Sequence, residues 1–436
     1  TLVKSRQGPT GPPRTSRRKA HVMSPSRPTP PALKRRVPKY SDLAPLMQFA
    51  KPTLDFKERR LSKAANVWDL RAIAKRRTPT APFDYVDGAA EDEISINKAR
   101  RAFREIEFQP GVLRNVADAD LSTTIFGREW SMPLAIAPTG FTRMMHSEGE
   151  YGGSAAAADA GIAYTLSTMG TASMEDVATH APEGERWFQL YLWRDRERSK
   201  ELVQRAADAG FSTLVVTVDT AVAGARLRDV RNGMTIPPQL TAKTVVDAAY
   251  RPEWWFNFLT HEPLSFASLS RHSGTVASLV DSMFDPTLTF DDLDWIRDLW
   301  KGNLVVKGLQ TVADARRCAD HGADGLVVSN HGGRQLDRAP VPLHLLPQVR
   351  EALPDMVLGL DTGIMSGADV LAAVAHGADF CFIGRAYLYG LMAGGKEGVD
   401  RTLEIMRDEM TRTCKLLGVN KLDELTPEHV KLNASV

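Results

Sequence analysis

The chain has 436 residues, of which 43% are hydrophobic and 25% are charged. This length and composition suit one large domain or two ordinary ones, and they exclude a chain that is disordered throughout. The formal net charge is +2, but residues 1–40 hold eleven Lys or Arg and no acidic residue, which leaves 44 basic against 53 acidic residues in the rest of the chain. A basic arm therefore precedes an acidic body.

The arm, residues 1–40, holds eight prolines and few large apolar residues. This composition predicts a disordered segment that cannot form a core. A basic arm can tether a protein to anionic lipid or to nucleic acid, or it can be an ordinary solvated tail. We interpret it as a solvated tail and predict no nucleic-acid partner.

Membrane and cysteine signals are both weak. No apolar stretch reaches the roughly 20 residues that a membrane span needs, and no leader sequence is evident, so we expect a cytoplasmic protein with at most peripheral contact at the inner face of the cell membrane. Cys318, Cys381 and Cys414 are widely spaced and lie outside any C-x-x-C pattern. Neither a disulfide nor a metal centre is predicted.

Residues 41–131 are predicted to form a lead-in segment that packs on the following domain, with a helix near residues 91–103. From residue 132 to 436, eight short apolar runs alternate with helical patterns, as expected of buried parallel strands joined by crossover helices. Eight such units close a (β/α)₈ barrel, often called a TIM barrel. The runs are MPLAIAPT from 132, AYTLST from 163, RWFQLYLW from 186, STLVVTVD from 212, NLVVKGL from 303, GLVVSNHG from 325, MVLGLDTG from 356 and FCFIGR from 380.

An open doubly wound sheet is the competing α/β fold. It would more often carry a G-x-G-x-x-G loop after its first strand, and this sequence has none, which also argues against a nicotinamide cofactor. Ser173, Thr311 and Ser366 each precede an Asp by three residues, a pattern typical of helix N-caps. Residues 227–295 form a long insertion between the fourth and fifth strands, predicted to be a lid, a peripheral membrane contact or a subunit contact through its aromatic segment at 254–259.

Barrel enzymes place their chemistry at the carboxyl ends of the strands, and here all eight predicted ends carry polar residues. Helix capping, or an ion pair between Asp219 and Lys307, could explain single polar residues at these ends but not polar residues at all eight. A flat polar ring with a phosphate fits the set, which predicts flavin mononucleotide (FMN). The residues are Thr139, Ser167, Gln189 with Tyr191, Thr217 with Asp219, Lys307, Ser329 with His331 and Arg334, Asp361, and Gly384 with Arg385.

His331 and Arg334 follow the sixth strand, three residues apart. Histidine titrates near neutrality and can take a proton from a substrate. Arginine holds a carboxylate through a planar, two-pronged contact. The pair predicts oxidation at the carbon next to a carboxylate, whereas an ordinary surface turn is the alternative.

Several separated motifs resemble those of the FMN-dependent L-2-hydroxy acid oxidases and dehydrogenases, over about residues 65–430. A further motif, GARLRDVRNGM at 224–234, resembles the bacterial respiratory-type L-lactate dehydrogenases of that family. The shared motifs are DYVDGAAED at 84–92, APTG at 137–140, FQLY at 188–191, TVDT at 217–220 and SNHGGRQLD at 329–337.

The resemblance implies a role for each matching residue. His331 would be the active-site base and Asp219 its partner, while Tyr191 would contact the reacting hydroxyl side of the substrate. Tyr85, Arg226 and Arg334 would hold the substrate carboxylate. The expected FMN contacts are Pro138, Thr139, Gly140, Ser167, Gln189, Thr217, Lys307, Ser329, Asp361, Gly363, Gly384 and Arg385.

The resemblance also implies the reaction, L-lactate to pyruvate, with electrons passed to quinone or another respiratory acceptor. A mandelate-like or glycolate-like substrate, and an FMN-dependent isomerase on the same barrel, are the alternatives. Met169 replaces the bulky aromatic of some relatives and suits a small or medium substrate side chain. Met365 stands where the family often has an arginine, so the phosphate site has one arginine fewer. A homo-oligomer, a tetramer in the family, is expected.

Overall fold

The computed structural model describes residues 35–47, 54–233, 246–247, 249–261, 267 and 285–433. The chain divides into two compact units, residues 1–52 and 53–436. In the first unit the described residues form a helical turn, Tyr40–Leu43, and a 3₁₀ turn, Ala44–Leu46. Most of the predicted basic arm, residues 1–34, lies outside the described residues.

Eight parallel strands close into a barrel, and they follow one another around it in chain order. Each coincides with one of the eight predicted apolar runs, although β3 begins one residue earlier, so the (β/α)₈ prediction is confirmed. The strands are β1 (Leu134–Ile136), β2 (Ala163–Ser167), β3 (Glu185–Leu190), β4 (Thr213–Thr217), β5 (Asn303–Leu309), β6 (Gly325–Val328), β7 (Val357–Leu360) and β8 (Phe380–Ile383).

Helices connect the strands on the outside of the barrel. Those of the barrel are Thr142–Met145, Gly149–Ala160, Met174–His180, Arg196–Asp208, Leu227–Asn232, Pro252–Thr260, Asp291–Leu299, Val312–Asp320, Pro342–Ala352, Gly367–Ala375, Arg385–Gly394 and Lys396–Leu417. Those of the lead-in are Phe56–Leu61, Val67–Arg77, Thr80–Asp87 and Ile94–Arg104. Two small antiparallel sheets complete the unit: Glu107–Phe108 with Val430–Lys431, and Thr123–Ile125 with Arg128–Trp130.

The predicted capping signals are confirmed. Ser173, Thr311 and Ser366 each accept a hydrogen bond from the amide of the Asp three residues later. Such a bond satisfies an amide that the first helical turn leaves without a partner, so a short side chain fixes where the helix begins. In the part of the chain that is described, no helix has the length and apolar composition needed to cross a bilayer.

The barrel interior is apolar at the amino ends of the strands. Side chains alternate between the two faces of a strand, so every second residue points inward. Trp187 lies 5.5 Å from the Trp130 ring and 5.4 Å from the Phe380 ring, centroid to centroid, and all three are buried. Together with small and β-branched neighbours these rings close the lower end of the barrel. The neighbours are Ala135, Ala163, Val215, Val305, Val327 and Phe382.

On four strands the inward residue two positions after the apolar one is polar: Gln189, Thr217, Lys307 and Ser329 follow Trp187, Val215, Val305 and Val327. Ser167 lies opposite Gln189 and Thr217 opposite Lys307, while Ser329 and Asp361 contact Lys307 directly, so these side chains form a polar layer. All of them are buried. The polar layer consists of Ser167, Gln189, Thr217, Lys307, Ser329 and Asp361.

An ion pair lies in the polar layer. The Lys307 Nζ is 2.8 Å from Asp361 Oδ2 and donates a 3.1 Å hydrogen bond to Ser329 Oγ. Burial opposes the charge on Lys307, but the carboxylates of Asp361 and Asp219 outweigh it and raise the pKa of Lys307. Burial likewise opposes the charge on Asp361, yet Lys307 keeps the pKa of Asp361 below its usual value. Lys307 thus takes Asp361 as its ion-pair partner, not Asp219, the pairing that the sequence left open.

We expect Lys307→Met to lower the free energy of unfolding by about 3–5 kcal/mol, because Asp361 would remain buried without its cation. Urea denaturation would measure this loss. The double variant Lys307→Met/Asp361→Asn removes both charges and should recover part of it. If the two substitutions acted independently, the double variant would be less stable than Lys307→Met by the full cost of Asp361→Asn. That result would contradict the coupling of the two charges.

Candidate active site

A cavity opens at the carboxyl ends of the strands, above the polar layer. The structure brings the predicted site residues together there. Gln189, Ser329 and Asp219 support the cavity wall through hydrogen bonds to Ser167, Lys307 and His331, and Thr217 pairs with Lys307 across the strands. The predicted residues in the wall itself are Tyr85, Pro138, Thr139, Gly140, Ser167, Tyr191, Arg226, Lys307, His331, Arg334, Asp361, Gly363, Gly384 and Arg385.

His331 is held in a fixed orientation. Its backbone has a φ of +58°, in the left-handed region that non-glycine residues seldom adopt, and its amide donates a 3.0 Å bond to Ser329 Oγ. Its Nδ1 lies 2.9 Å from Asp219 Oδ1. A proton on Nδ1 shared with Asp219 leaves the Nε2 lone pair free to act as a base. The Gln335 side-chain amide fastens the loop by donating 3.1 Å to the Asp219 carbonyl.

Two arginines surround Tyr85. The Arg334 guanidinium donates to the Tyr85 carbonyl and lies 4.7 Å from the centre of the Tyr85 ring. Arg226 lies 6.0 Å from the same ring and forms an ion pair of 3.2 Å with Asp229. Among the described carboxylates none forms an ion pair with Arg334, and burial together with the nearby Arg226 lowers the pKa of Arg334. A partly desolvated cation of this kind is stabilised by an anionic ligand.

Tyr191 remains a neutral phenol. Burial, and secondarily the Asp219 carboxylate, raise the pKa of Tyr191 above its usual value. Its backbone amide donates a 3.1 Å bond to Thr168 Oγ1, which fixes the residue at the end of β3. A neutral tyrosine hydroxyl beside the base can donate a hydrogen bond to a substrate oxygen.

The polar layer fits the ring of FMN. The Gln189 Nε2 and the Thr217 Oγ1 are buried and have no hydrogen-bond partner among the described residues. Buried polar atoms are nearly always paired, so these two atoms indicate a ligand with polar groups along its edge. The charged Lys307 beside them can stabilise a ring that gains negative charge.

The cavity is also lined by Gly363, Gly384 and Arg385, the residues expected from the resemblance to bind FMN near its phosphate. The Arg385 guanidinium donates to the carbonyls of Val86 at 2.9 Å, Gly332 at 2.9 Å and Gly88 at 2.6 Å. Burial lowers the pKa of Arg385 to about 10. Arg385 therefore brings positive charge to this part of the cavity, while three of its five N–H groups bond to backbone carbonyls.

Four residues of the site were not among the predicted ones. The Thr362 hydroxyl links the Gly332 amide to Asp361, and the Tyr387 hydroxyl lies 2.8 Å from Thr139 Oγ1. Gln335 fastens the loop of Asp219, and its place next to Arg334 was an available signal. Arg100 lines the cavity from the helix Ile94–Arg104, and nothing in that amphipathic sequence distinguishes it from its neighbours.

Comparison with known sequences gives one consistent family. The sequence profile described as FMN-dependent dehydrogenase matches residues 74–432. A protein of Mycobacterium tuberculosis, provisionally named an L-lactate dehydrogenase, is 59% identical over 400 residues, which are 92% of this chain and 97% of that protein. The L-lactate dehydrogenase of Caulobacter sp. strain K31 is 40% identical over 365 residues, 82% of this chain and 96% of that protein.

Comparison with solved structures agrees. A crystal structure described as the monotopic membrane protein (S)-mandelate dehydrogenase aligns with a TM-score of 0.82 at 37% identity, over 85% of this chain and all of that chain. The family resemblance carried by the sequence motifs is therefore confirmed, and the match extends over nearly the whole barrel unit. The chain belongs to the FMN-dependent dehydrogenase family, and its cofactor is FMN.

Proposed function

We propose that this enzyme oxidises an L-2-hydroxy acid, with L-lactate as the first candidate and pyruvate as its product. The observation that carries the proposal is that His331, paired with Asp219, lines the same cavity as Arg334, whose guanidinium has no ion-pair partner among the described residues. A base next to a carboxylate-binding cation suits the removal of hydrogen from the carbon beside a carboxylate. The similarity to two proteins named as L-lactate dehydrogenases supports this choice.

Each residue then has a chemical task. Arg334 binds the substrate carboxylate through its planar fork, and Tyr85 supports that guanidinium with its carbonyl and ring. His331 takes a proton from the substrate at Nε2, and Asp219 stabilises the imidazolium that results. Tyr191 donates a hydrogen bond to the reacting hydroxyl side. FMN, when bound, would supply the acceptor for the two electrons and the second hydrogen that leave the substrate.

A second candidate substrate is an aromatic hydroxy acid such as mandelate. The half-buried Met169 lines the cavity beside Gly140, where an added Cβ would lie 2.7 Å from the Met169 Cβ. The Met169 side chain takes up part of the cavity, which supports a small substrate side chain such as the methyl of lactate. A thioether side chain is flexible, however, and can move to admit a larger ring. The similarity to (S)-mandelate dehydrogenase supports mandelate as the second candidate substrate.

The proposal extends to a respiratory acceptor, quinone, reached by peripheral contact with the inner face of the membrane. The helix Pro252–Thr260 exposes Phe256 and Leu259, which are 69% and 67% accessible. The similar mandelate dehydrogenase is described as a monotopic membrane protein, which supports such a contact. The predicted homotetramer in a cytoplasmic location remains part of this proposal.

The aromatic segment at 254–259, predicted to form a lid, a membrane contact or a subunit contact, is only partly exposed. The Trp254 ring stacks on Phe258 at 4.8 Å, and its indole N–H donates a 3.0 Å bond to the Met144 carbonyl. Trp255 packs against both of these rings. The reason is that a helix presents only part of its circumference outward, so these three rings pack inward. Residues 234–245 and 268–284 of the proposed lid lie outside the described residues.

We expect His331→Gln to bind FMN normally but to slow flavin reduction by L-lactate by about two to four orders of magnitude, the usual contribution of a positioned base. Anaerobic rapid-mixing measurements of the flavin absorbance would give the rate. Near-normal reduction in this variant would remove His331 from the reaction.

Arg334→Lys should lower kcat/KM for L-lactate by at least about tenfold, since lysine keeps the charge but loses the planar fork. Arg226→Lys is the matched control: Arg226 already has Asp229 as a partner, so we expect a smaller loss. Steady-state assays of both variants show which of the two arginines binds the substrate carboxylate. A larger loss for Arg226→Lys would assign the carboxylate to Arg226.

The double variant Phe256→Ser/Leu259→Ser should release the enzyme from lipid vesicles and slow quinone reduction, because two exposed apolar side chains are lost, while flavin reduction by L-lactate stays unchanged. Vesicle sedimentation would measure binding. Thr260→Ser, an exposed polar position on the same helix, is the control. Unaltered sedimentation of the double variant would contradict this contact.

A further inference from the structure

The phosphate end of the cavity lacks one expected arginine. Met365 is buried and lines the cavity at the position where the resemblance led us to expect a guanidinium. The arginine that remains, Arg385, donates three of its five N–H groups to backbone carbonyls. A phosphate carries close to two negative charges, and it is normally bound by charge-assisted hydrogen bonds from groups that are free to donate.

The lead-in helix Ile94–Arg104 covers this end of the cavity. A Cβ added to Gly363 would lie 3.1 Å from the Phe103 ring and 3.3 Å from the Ala99 carbonyl carbon. Gly363 also has a φ of +96°, which favours glycine. The helix backbone therefore rests directly on the loop that follows β7, and its position is fixed by that contact. Arg100, the residue after Ala99, lines the same cavity as Gly363 and Arg385.

Arg100 has an open hydrogen-bonding edge. Its Nε and Nη2 are buried and have no hydrogen-bond partner among the described residues. These two nitrogens form one side of the guanidinium plane, the side that makes two parallel bonds to a phosphate or carboxylate. The guanidinium carbon lies 5.3 Å from the Trp68 ring centre, which holds the plane in place.

Arg101 on the same helix already has a partner, an exposed ion pair with Glu105 at 3.8 Å. The Arg104 guanidinium lies 5.6 Å from the same Trp68 ring as Arg100, but Arg104 does not line the cavity. Arg100 and Arg385 also repel each other electrostatically. Two cations that face one cavity, neither with a carboxylate ion-pair partner among the described residues, are stabilised together by a dianion.

We propose that Arg100 binds the phosphate of FMN through its Nε and Nη2, and that it replaces the guanidinium that this chain lacks at Met365. The inference rests on FMN as the cofactor and does not depend on which hydroxy acid is oxidised. Arg385 contributes charge and its remaining N–H groups, whereas Arg100 supplies an edge of two nitrogens that has no partner among the described residues. The phosphate site is thus built from the lead-in helix as well as from the barrel loops.

The test compares two flavins that differ only in the phosphate. Cofactor-free protein is titrated with FMN and with riboflavin, and the quenching of flavin fluorescence gives each Kd. We expect Arg100→Met to weaken FMN about tenfold or more and to leave riboflavin within about twofold, because two charge-assisted bonds to phosphate are lost. Arg101→Met is the matched control and should bind both flavins as the unaltered protein does.

A reciprocal exchange sharpens the test. Arg100→Met combined with Met365→Arg should recover part of the lost FMN affinity, since it returns a guanidinium to the same end of the cavity. If Arg100→Met does not fold, as judged by circular dichroism, Arg100→Lys is titrated instead. Its affinity for FMN should fall, whereas its affinity for riboflavin should not. Unchanged FMN affinity, or equal weakening of FMN and riboflavin, would overturn the proposal. Because no substrate is present, these outcomes are independent of the hydroxy acid specificity.

Discussion

The structure depends on the change from apolar to polar side chains within the barrel interior. On β3, for example, the inward face is apolar at Trp187 and polar two residues later, at Gln189. The barrel brings the polar residues of several strands together, and there Lys307 and Asp361 neutralise each other at 2.8 Å. The apolar end supplies stability through burial, and it allows the other end to hold charges and unpaired donors that a ligand must complete.

The same polar layer joins cofactor binding to the proposed acid–base chemistry. Ser329 accepts a hydrogen bond from the Lys307 ammonium group and another from the His331 amide. One hydroxyl thus connects the polar layer with the loop of the proposed base. Asp219 orients the His331 ring and also raises the pKa of Lys307. Arg334 follows β6, and its guanidinium donates to the Tyr85 carbonyl of the lead-in segment. The lead-in thus helps to position the proposed carboxylate-binding group.

Much of this arrangement was predictable from the sequence, because it follows from local patterns. Apolar runs gave the eight strands, and the side chains of Ser173, Thr311 and Ser366 gave three helix starts. The partner of Lys307 could not be predicted, because Asp219 and Asp361 lie on different strands and only the barrel geometry selects between them. Arg100 was missed for a similar reason: its importance comes from the contact of its helix with Gly363, which no local pattern encodes.

The central claim is that this constellation oxidises an L-2-hydroxy acid with FMN as the electron acceptor. The most direct measurement is an anaerobic titration of the FMN-loaded enzyme with L-lactate, followed by visible absorbance and by assay of pyruvate. The account predicts that the flavin absorbance bleaches with about one equivalent of L-lactate and that an equal amount of pyruvate forms. Flavin that dithionite reduces but that neither L-lactate nor L-mandelate bleaches would contradict it.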